Sequence, residues 1–231
     1  MMIGKKAAAV LTAAALCMPA TLPAAGTRAK QPAPVARSVL PPVTRSAEVD
    51  RMVQWIAASA DNAGLPYIVI DKQAAALFLF DAKGALVAES PILLGIAPGD
   101  DSTPGIGSKS LATIGPAERT TPAGRFMAKF GMAAGNQRVL WVDYATSVAL
   151  HVVVTSNRKE RRLERLLSPT ADDNRISFGC INVGATLFNK QLSPLFGKRG
   201  GVVYILPDTK PLDEVFPRVR LLPYLQEPQA S

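Results

Sequence analysis

The chain has 231 residues, of which 48% are hydrophobic, 19% charged and 6% aromatic, and 26 Lys and Arg against 18 Asp and Glu give it a net charge of +8. That is enough apolar material for the core of one ordinary domain with appendages, which excludes wholesale disorder, a collagen-like repeat and a disulfide-knot scaffold. Beyond the first 30 positions there is no uncharged apolar run long enough to suggest a polytopic membrane protein, and no basic run interleaved with aromatics to suggest a nucleic-acid partner.

Residues 1–6 carry Lys5 and Lys6, and residues 7–18 are almost all Ala, Leu and Val, the basic and apolar regions of a secretory signal. Small residues Ala24, Ala25 and Gly26 place the expected cleavage near residue 25. The apolar stretch is too short to span a bilayer, so no integral membrane association is expected after cleavage. Leu16 before Cys17 argues against lipidation, which needs a small residue there. Cleavage takes two positive charges from the +8, leaving +6, and it removes Cys17. Cys180 then stands alone in an oxidising compartment, either buried and inert or kept for its chemistry.

Residues 26–45, with Pro32, Pro34, Pro41 and Pro42 and no apolar period, read as an extended linker. Val49, Met52, Val53, Ile56 and Ala60 then recur at helical spacing behind a Ser46 cap, with Glu48 and Asp50 in the first turn, which predicts a helix within 46–65, stopped by Gly64 and Pro66. Runs at 67–71, 75–80 and 86–94, with a turn at 81–84, predict a β-meander. Residues 95–124 are rich in Gly, Pro, Ser, Thr and Asp and predict a long loop of functional or mobile character. Strands are expected at 125–130 and 139–154, a basic helix capped by Asn157 over 158–167, a helix over 183–196 and a strand at 202–206. The tail, 208–231, is expected to pack along the outside.

Several signatures fail. The segment Gly105-Ile106-Gly107-Ser108-Lys109-Ser110 lacks the order and spacing of a phosphate-binding loop, and there is no Gly-x-Ser-x-Gly elbow. One histidine and one mature cysteine make a poor metal-ligand set, so no metal is expected, and the pairs Asp100-Asp101 and Asp172-Asp173 read as solvated loop charges. What remains is the pair of singletons, His151 and Cys180. An imidazole that takes a thiol's proton makes a nucleophile, and such a pair is expected to react below the free thiol pKa of about 8.5. The plain alternative is a structural histidine in the β-run 148–154 and a small core cysteine between Phe178 and Ile181.

The segment Asn174-Arg175-Ile176-Ser177-Phe178-Gly179-Cys180-Ile181-Asn182-Val183 resembles the catalytic segment of the L,D-transpeptidase (YkuD-type) family, in which an upstream His precedes Ser/Thr, usually His, Gly-Cys, a hydrophobic residue and Asn or Arg. Thr121-Pro122-Ala123-Gly124-Arg125-Phe126 resembles that family's Thr-Pro-x-Gly-x-Phe segment, and the likeness runs in order over 66–207. It implies a mainly β fold with a few helices, an L,D-transpeptidase-like β-sandwich over 66–207, exported to the periplasm or cell wall and acting on peptidoglycan stem peptides without a cofactor.

Carried over by position, the resemblance makes Cys180 the nucleophile and His151 its general base. The backbone N–H of Cys180, with that of Gly179 or Phe178, would stabilise the oxyanion, and Ser177 would shape the turn. Asn182, Arg175 and Arg161 are the candidate substrate-binding residues, the basic flap 157–167 being placed to meet stem-peptide carboxylates. Phe178 stands where the family usually has His, Val152 follows His151 where Gly is common, and the stretch between His151 and Ser177 is longer than in compact members. These departures leave open a non-catalytic wall-binding module with a drifted site. An unrelated secreted cysteine peptidase is a third reading.

Overall fold

The computed structural model describes residues 42–226. The expected signal, 1–25, and most of the expected linker, 26–45, lie outside the described residues.

Helix α1, Ala47–Ser59, starts at the expected cap, where Ser46 Oγ accepts the Val49 N–H at 3.3 Å, and its buried stripe is Val49, Met52, Trp55 and Ile56. It ends where Ala60 turns left-handed, at φ 53, before the expected stop at Gly64. The meander follows as β1 (Tyr67–Asp71), β2 (Ala76–Phe80) and β3 (Leu86–Pro91). Strands β1 and β2 are buried throughout, which is why they read as unbroken apolar runs instead of alternating ones. Ile68 and Ile70 face one core while Tyr67 and Val69 face another, built with α1 and the C-terminal helices α4 (Leu212–Val215) and α5 (Leu222–Gln226).

Eight strands form one sheet in the order β3-β2-β1-β10-β5-β6-β7-β9, with β10 at Gly201–Ile205, β5 at Gly124–Ala133, β6 at Gln137–Asp143, β7 at Val148–Val152 and β9 at Ile181–Val183. Within this sheet the parallel pairs are β1·β10 and β7·β9. Strand β5 pairs with β10 through residues 124–128 and with β6 through 129–133, so the sheet changes partners halfway along one long strand. Its two ends share a core: Ile68, Ile70, Leu77 and Leu79 from β1 and β2 cluster with Leu140, Leu150, Ile181 and Val183 from β6, β7 and β9. The architecture is mixed, with a large, mostly antiparallel sheet, in keeping with the mainly β expectation.

Several elements differ from expectation. The run 139–154 is a hairpin, β6 and β7, whose turn is held by Asp143: Oδ1 accepts the Ala145 N–H at 3.1 Å and Oδ2 the Thr146 hydroxyl at 2.6 Å. The loop 95–124 holds strand β4 (Leu94–Gly95) at its start and three single 3-10 turns, and β4 pairs with β8 (Arg175–Ser177). The basic helix is broken: a 3-10 turn at Arg158–Glu160 ends at left-handed Arg161, and α2 covers only Arg162–Leu166. Val183 lies in β9, and the helical segment after it, which starts at 185, passes through a π-helix, Leu187–Leu192, before α3, Ser193–Phe196.

Asp100, read as a solvated loop charge, is 5% exposed. Its carboxylate accepts from the backbone N–H of Asp208, Thr209 and Lys210, from the Thr209 hydroxyl, and from Lys72 Nζ at 2.8 Å. Lys72, 1% exposed, also donates to the carbonyls of Gly99 and Thr121 and lies 3.5 Å from Asp208. Arg175 closes the group, with Nη2 2.7 Å from Asp208 Oδ1 and 3.2 Å from the Lys72 carbonyl. Two cations and two carboxylates thus balance inside the fold, the condition for burying charge at all. They tie the start of the long loop, the strand that leads to Cys180 and the C-terminal segment to one point.

Candidate active site

Cys180 ends a tight turn between β8 and β9. Ser177 Oγ accepts the Gly179 N–H at 3.0 Å and donates to the Cys180 carbonyl at 2.6 Å, so one hydroxyl closes the turn from both sides. Gly179 has φ 122, and a Cβ there would sit 2.8 Å from the Thr120 carbonyl oxygen. Beneath it, Thr121 Oγ1 donates to the Gly179 carbonyl and accepts the Gly95 N–H, both at 2.9 Å. The two sequence segments that carried the family resemblance therefore meet, the Thr-Pro segment buttressing the Gly-Cys turn. Gly179→Ala is expected to cost about 1–3 kcal/mol, from strained backbone and the Thr120 clash, read as a lowered urea midpoint.

Ser177 takes the Gly179 N–H, so that group is not free for an oxyanion. The N–H groups of Phe178 and Cys180 have no hydrogen-bond partner among the described residues. Of the two expected companions for the Cys180 N–H, geometry favours Phe178. The Phe178 ring is capped by Arg119, whose guanidinium stands 3.8 Å from the ring centroid while Nε and Nη2 hold the Ile114 carbonyl.

His151 lies on β7 directly opposite Asn182 of β9. Its Nδ1 is 2.8 Å from the Val152 carbonyl and its Nε2 is 3.2 Å from Asn182 Nδ2. Asn182 is fully buried, and its Oδ1 accepts from Arg162 Nη1 at 2.7 Å, while Arg162 Nε donates to Glu160. The Cys180 thiol points to the Ser147 carbonyl, 3.7 Å away, at the end of the β6–β7 turn. His151, Cys180, Asn182, Ser177 and Phe178 line one cavity of about 300 Å³, roofed by Arg162, Glu160 and other flap residues and by Leu111 of the long loop.

The flap arginines part company. Arg161 is 70% exposed, pairs with Glu164 and does not reach the cavity. Arg165 is spent on the carbonyls of Glu160 and Asp173. Arg162, 12% exposed, is the one that faces the site. Arg175 belongs to the buried Lys72 group and does not line this cavity. The sequence held no signal to separate Arg161 from Arg162, because a five-residue helix has too few turns to define a face.

Burial pushes the Cys180 thiol above its ordinary range, and the Ala149 N–H and the Arg162 charge, which act the other way, do not offset it. Burial pulls the His151 pKa below its ordinary value, the Arg162 charge adds to that, and the Val152 carbonyl opposes it. Both shifts favour thiol and neutral imidazole, the direction opposite to the expected low-pKa thiolate. Alkylation of Cys180 by a small neutral reagent is accordingly expected to have a pH midpoint above the free-thiol value of about 8.5. A midpoint below that value, measured without substrate, would contradict this.

Comparison of the chain with protein-family models and with curated proteins finds no match in either.

Proposed function

We propose that this protein is an exported cysteine acyltransferase of the L,D-transpeptidase type, acting on peptidoglycan stem peptides. The observation that carries the reading is the bond from Thr121 to the Gly179 carbonyl, which joins the two resembling segments beneath a cavity lined by His151 and Cys180. Substrate entry turns the Cys180 side chain from the Ser147 carbonyl toward His151. The thiol proton passes to His151 as sulfur attacks the carbonyl before a terminal D-alanine, and the N–H groups of Cys180 and Phe178 hold the oxyanion. The C–N bond to D-alanine then breaks, its amine leaving with the proton from His151. An amine of another stem takes the acyl group to give a cross-link, or water takes it to give a carboxypeptidase product. Acyl transfer of this kind needs no metal or organic cofactor.

A wall-binding module without catalysis is the second reading, favoured by the engagement of His151 with Asn182 and of the thiol with Ser147 instead of with each other. Release of D-alanine from a disaccharide-tetrapeptide separates the two. The transpeptidase reading expects release from the tetrapeptide and none from an all-L peptide. Cleavage of the all-L peptide alone would move the protein to the ordinary cysteine peptidases, and no release from either would leave a binding module.

A further inference from the structure

Arginine has only hydrogen-bond donors, so the Asn182 atom that faces Arg162 must be the amide oxygen. The amide NH2 then points at His151 Nε2, which must be the unprotonated, accepting nitrogen. The other end of the ring gives the same answer independently. A carbonyl oxygen can only accept, and the Val152 carbonyl lies 2.8 Å from Nδ1, so Nδ1 carries the proton. Gln137 Nε2 lies farther off, at 3.4 Å from Nδ1, and its amide turns to suit.

We propose that Arg162 is a positioning residue which, through Asn182, holds Nε2 of His151 as the unprotonated base, while the Val152 carbonyl keeps the proton on Nδ1. The groups facing His151 are Gln137 from β6, Asn182 from β9, Cys180 from the turn, and Arg162 with its partner Glu160 from the flap. A proton arriving on Nε2 meets the Asn182 NH2 donor to donor. Asn182 cannot turn over to accept it without setting its NH2 against the donors of Arg162. The imidazolium is therefore opposed by the fixed amide as well as by the Arg162 charge, and it gives its proton up readily. For the proposed reaction, which this consequence rests on, the thiol keeps its proton until substrate arrives and the leaving amine is protonated promptly.

Removing Arg162 frees the amide to turn and leaves Glu160 without its partner, and both changes favour the imidazolium. The test is nitrogen NMR of the full chain labelled at histidine, where the single histidine gives one ring to assign. At alkaline pH the parent is expected to show a protonated Nδ1 and a pyridine-like Nε2. Arg162→Met is expected to raise the histidine midpoint, with the Val152 carbonyl still keeping the proton of the neutral ring on Nδ1, while Arg162→Lys, still a donor-only cation, keeps the midpoint near that of the parent. A protonated Nε2 in the neutral parent would overturn the proposal without recourse to any variant. An unchanged midpoint in a folded Arg162→Met protein would overturn it as well. The readout is separate from turnover: a parent with the Nδ1–H tautomer that forms no acyl-enzyme would sink the functional reading and leave this inference standing.

Discussion

Cys180→Ala is expected to abolish acyl-enzyme formation and to reduce D-alanine release by on the order of 10⁴-fold or more, the scale on which removal of a covalent nucleophile is felt. The change deletes one sulfur atom at a half-buried position, and the turn is held by Ser177, Gly179 and Thr121 through atoms the substitution does not touch. Fold and stability should therefore survive, which makes the kinetic loss interpretable. The family resemblance further implies that a carbapenem-type β-lactam adds once per chain, at Cys180, and the variant should add none. Retained turnover in the variant would remove the covalent mechanism.

Lys72→Met is expected to give the largest loss of stability, about 3–5 kcal/mol, because it leaves Asp100 and Asp208 buried with one cation fewer. It should appear as a fall in urea midpoint, and Lys72→Met combined with Asp100→Asn should recover part of the loss. A second effect is functional, since Lys72 donates to the Thr121 carbonyl and Thr121 holds the Gly179 carbonyl. The same group sets an acid limit. Burial alone would raise the Asp100 pKa, but hydrogen bonds from Lys72 and from Asp208, Thr209 and Lys210 outweigh it and hold the carboxyl far below its ordinary range. A depressed folded-state pKa contributes stability above the unfolded value of about 3.9, and that contribution is lost as pH falls from there through the folded value. Asp100→Asn should flatten the pH dependence of stability in that window. A Lys72→Met protein as stable as the parent would contradict this account of the buried group.

What could be read from the sequence was what leaves a local pattern. Ser46 and the stripe Val49, Met52, Ile56 mark α1 because capping and helical period are written within a few residues. β1 and β2 were legible because burial on both faces demands unbroken apolar runs. Cys180 and His151 stood out by being single, and they do line one cavity. Hidden features depend on pairing across the chain. Nothing near Asp100 announces that Lys72, 28 residues earlier, is buried with it. β8 and β9 have three residues each, too few for a period, and exist because β4 and β7 lie alongside. The hairpin turn after Asp143 has no glycine and so leaves no turn signal in the sequence, although it supplies the Ser147 carbonyl that receives the thiol. The direction of the pKa shifts at Cys180 and His151 was hidden for the same reason, since it follows from burial, to which Arg162, a residue indistinguishable in sequence from its neighbour Arg161, adds at His151 and which it opposes at Cys180.

The central claim, that Cys180 is the nucleophile of an acyl transfer from stem peptides, is tested most directly by intact-mass analysis and peptide mapping after incubation with purified disaccharide-tetrapeptide. The account predicts a covalent acyl adduct on Cys180 with release of one D-alanine, followed by a cross-linked dimer or the hydrolysed tripeptide. An unmodified protein with intact tetrapeptide, or an adduct mapped to any other residue, would contradict it.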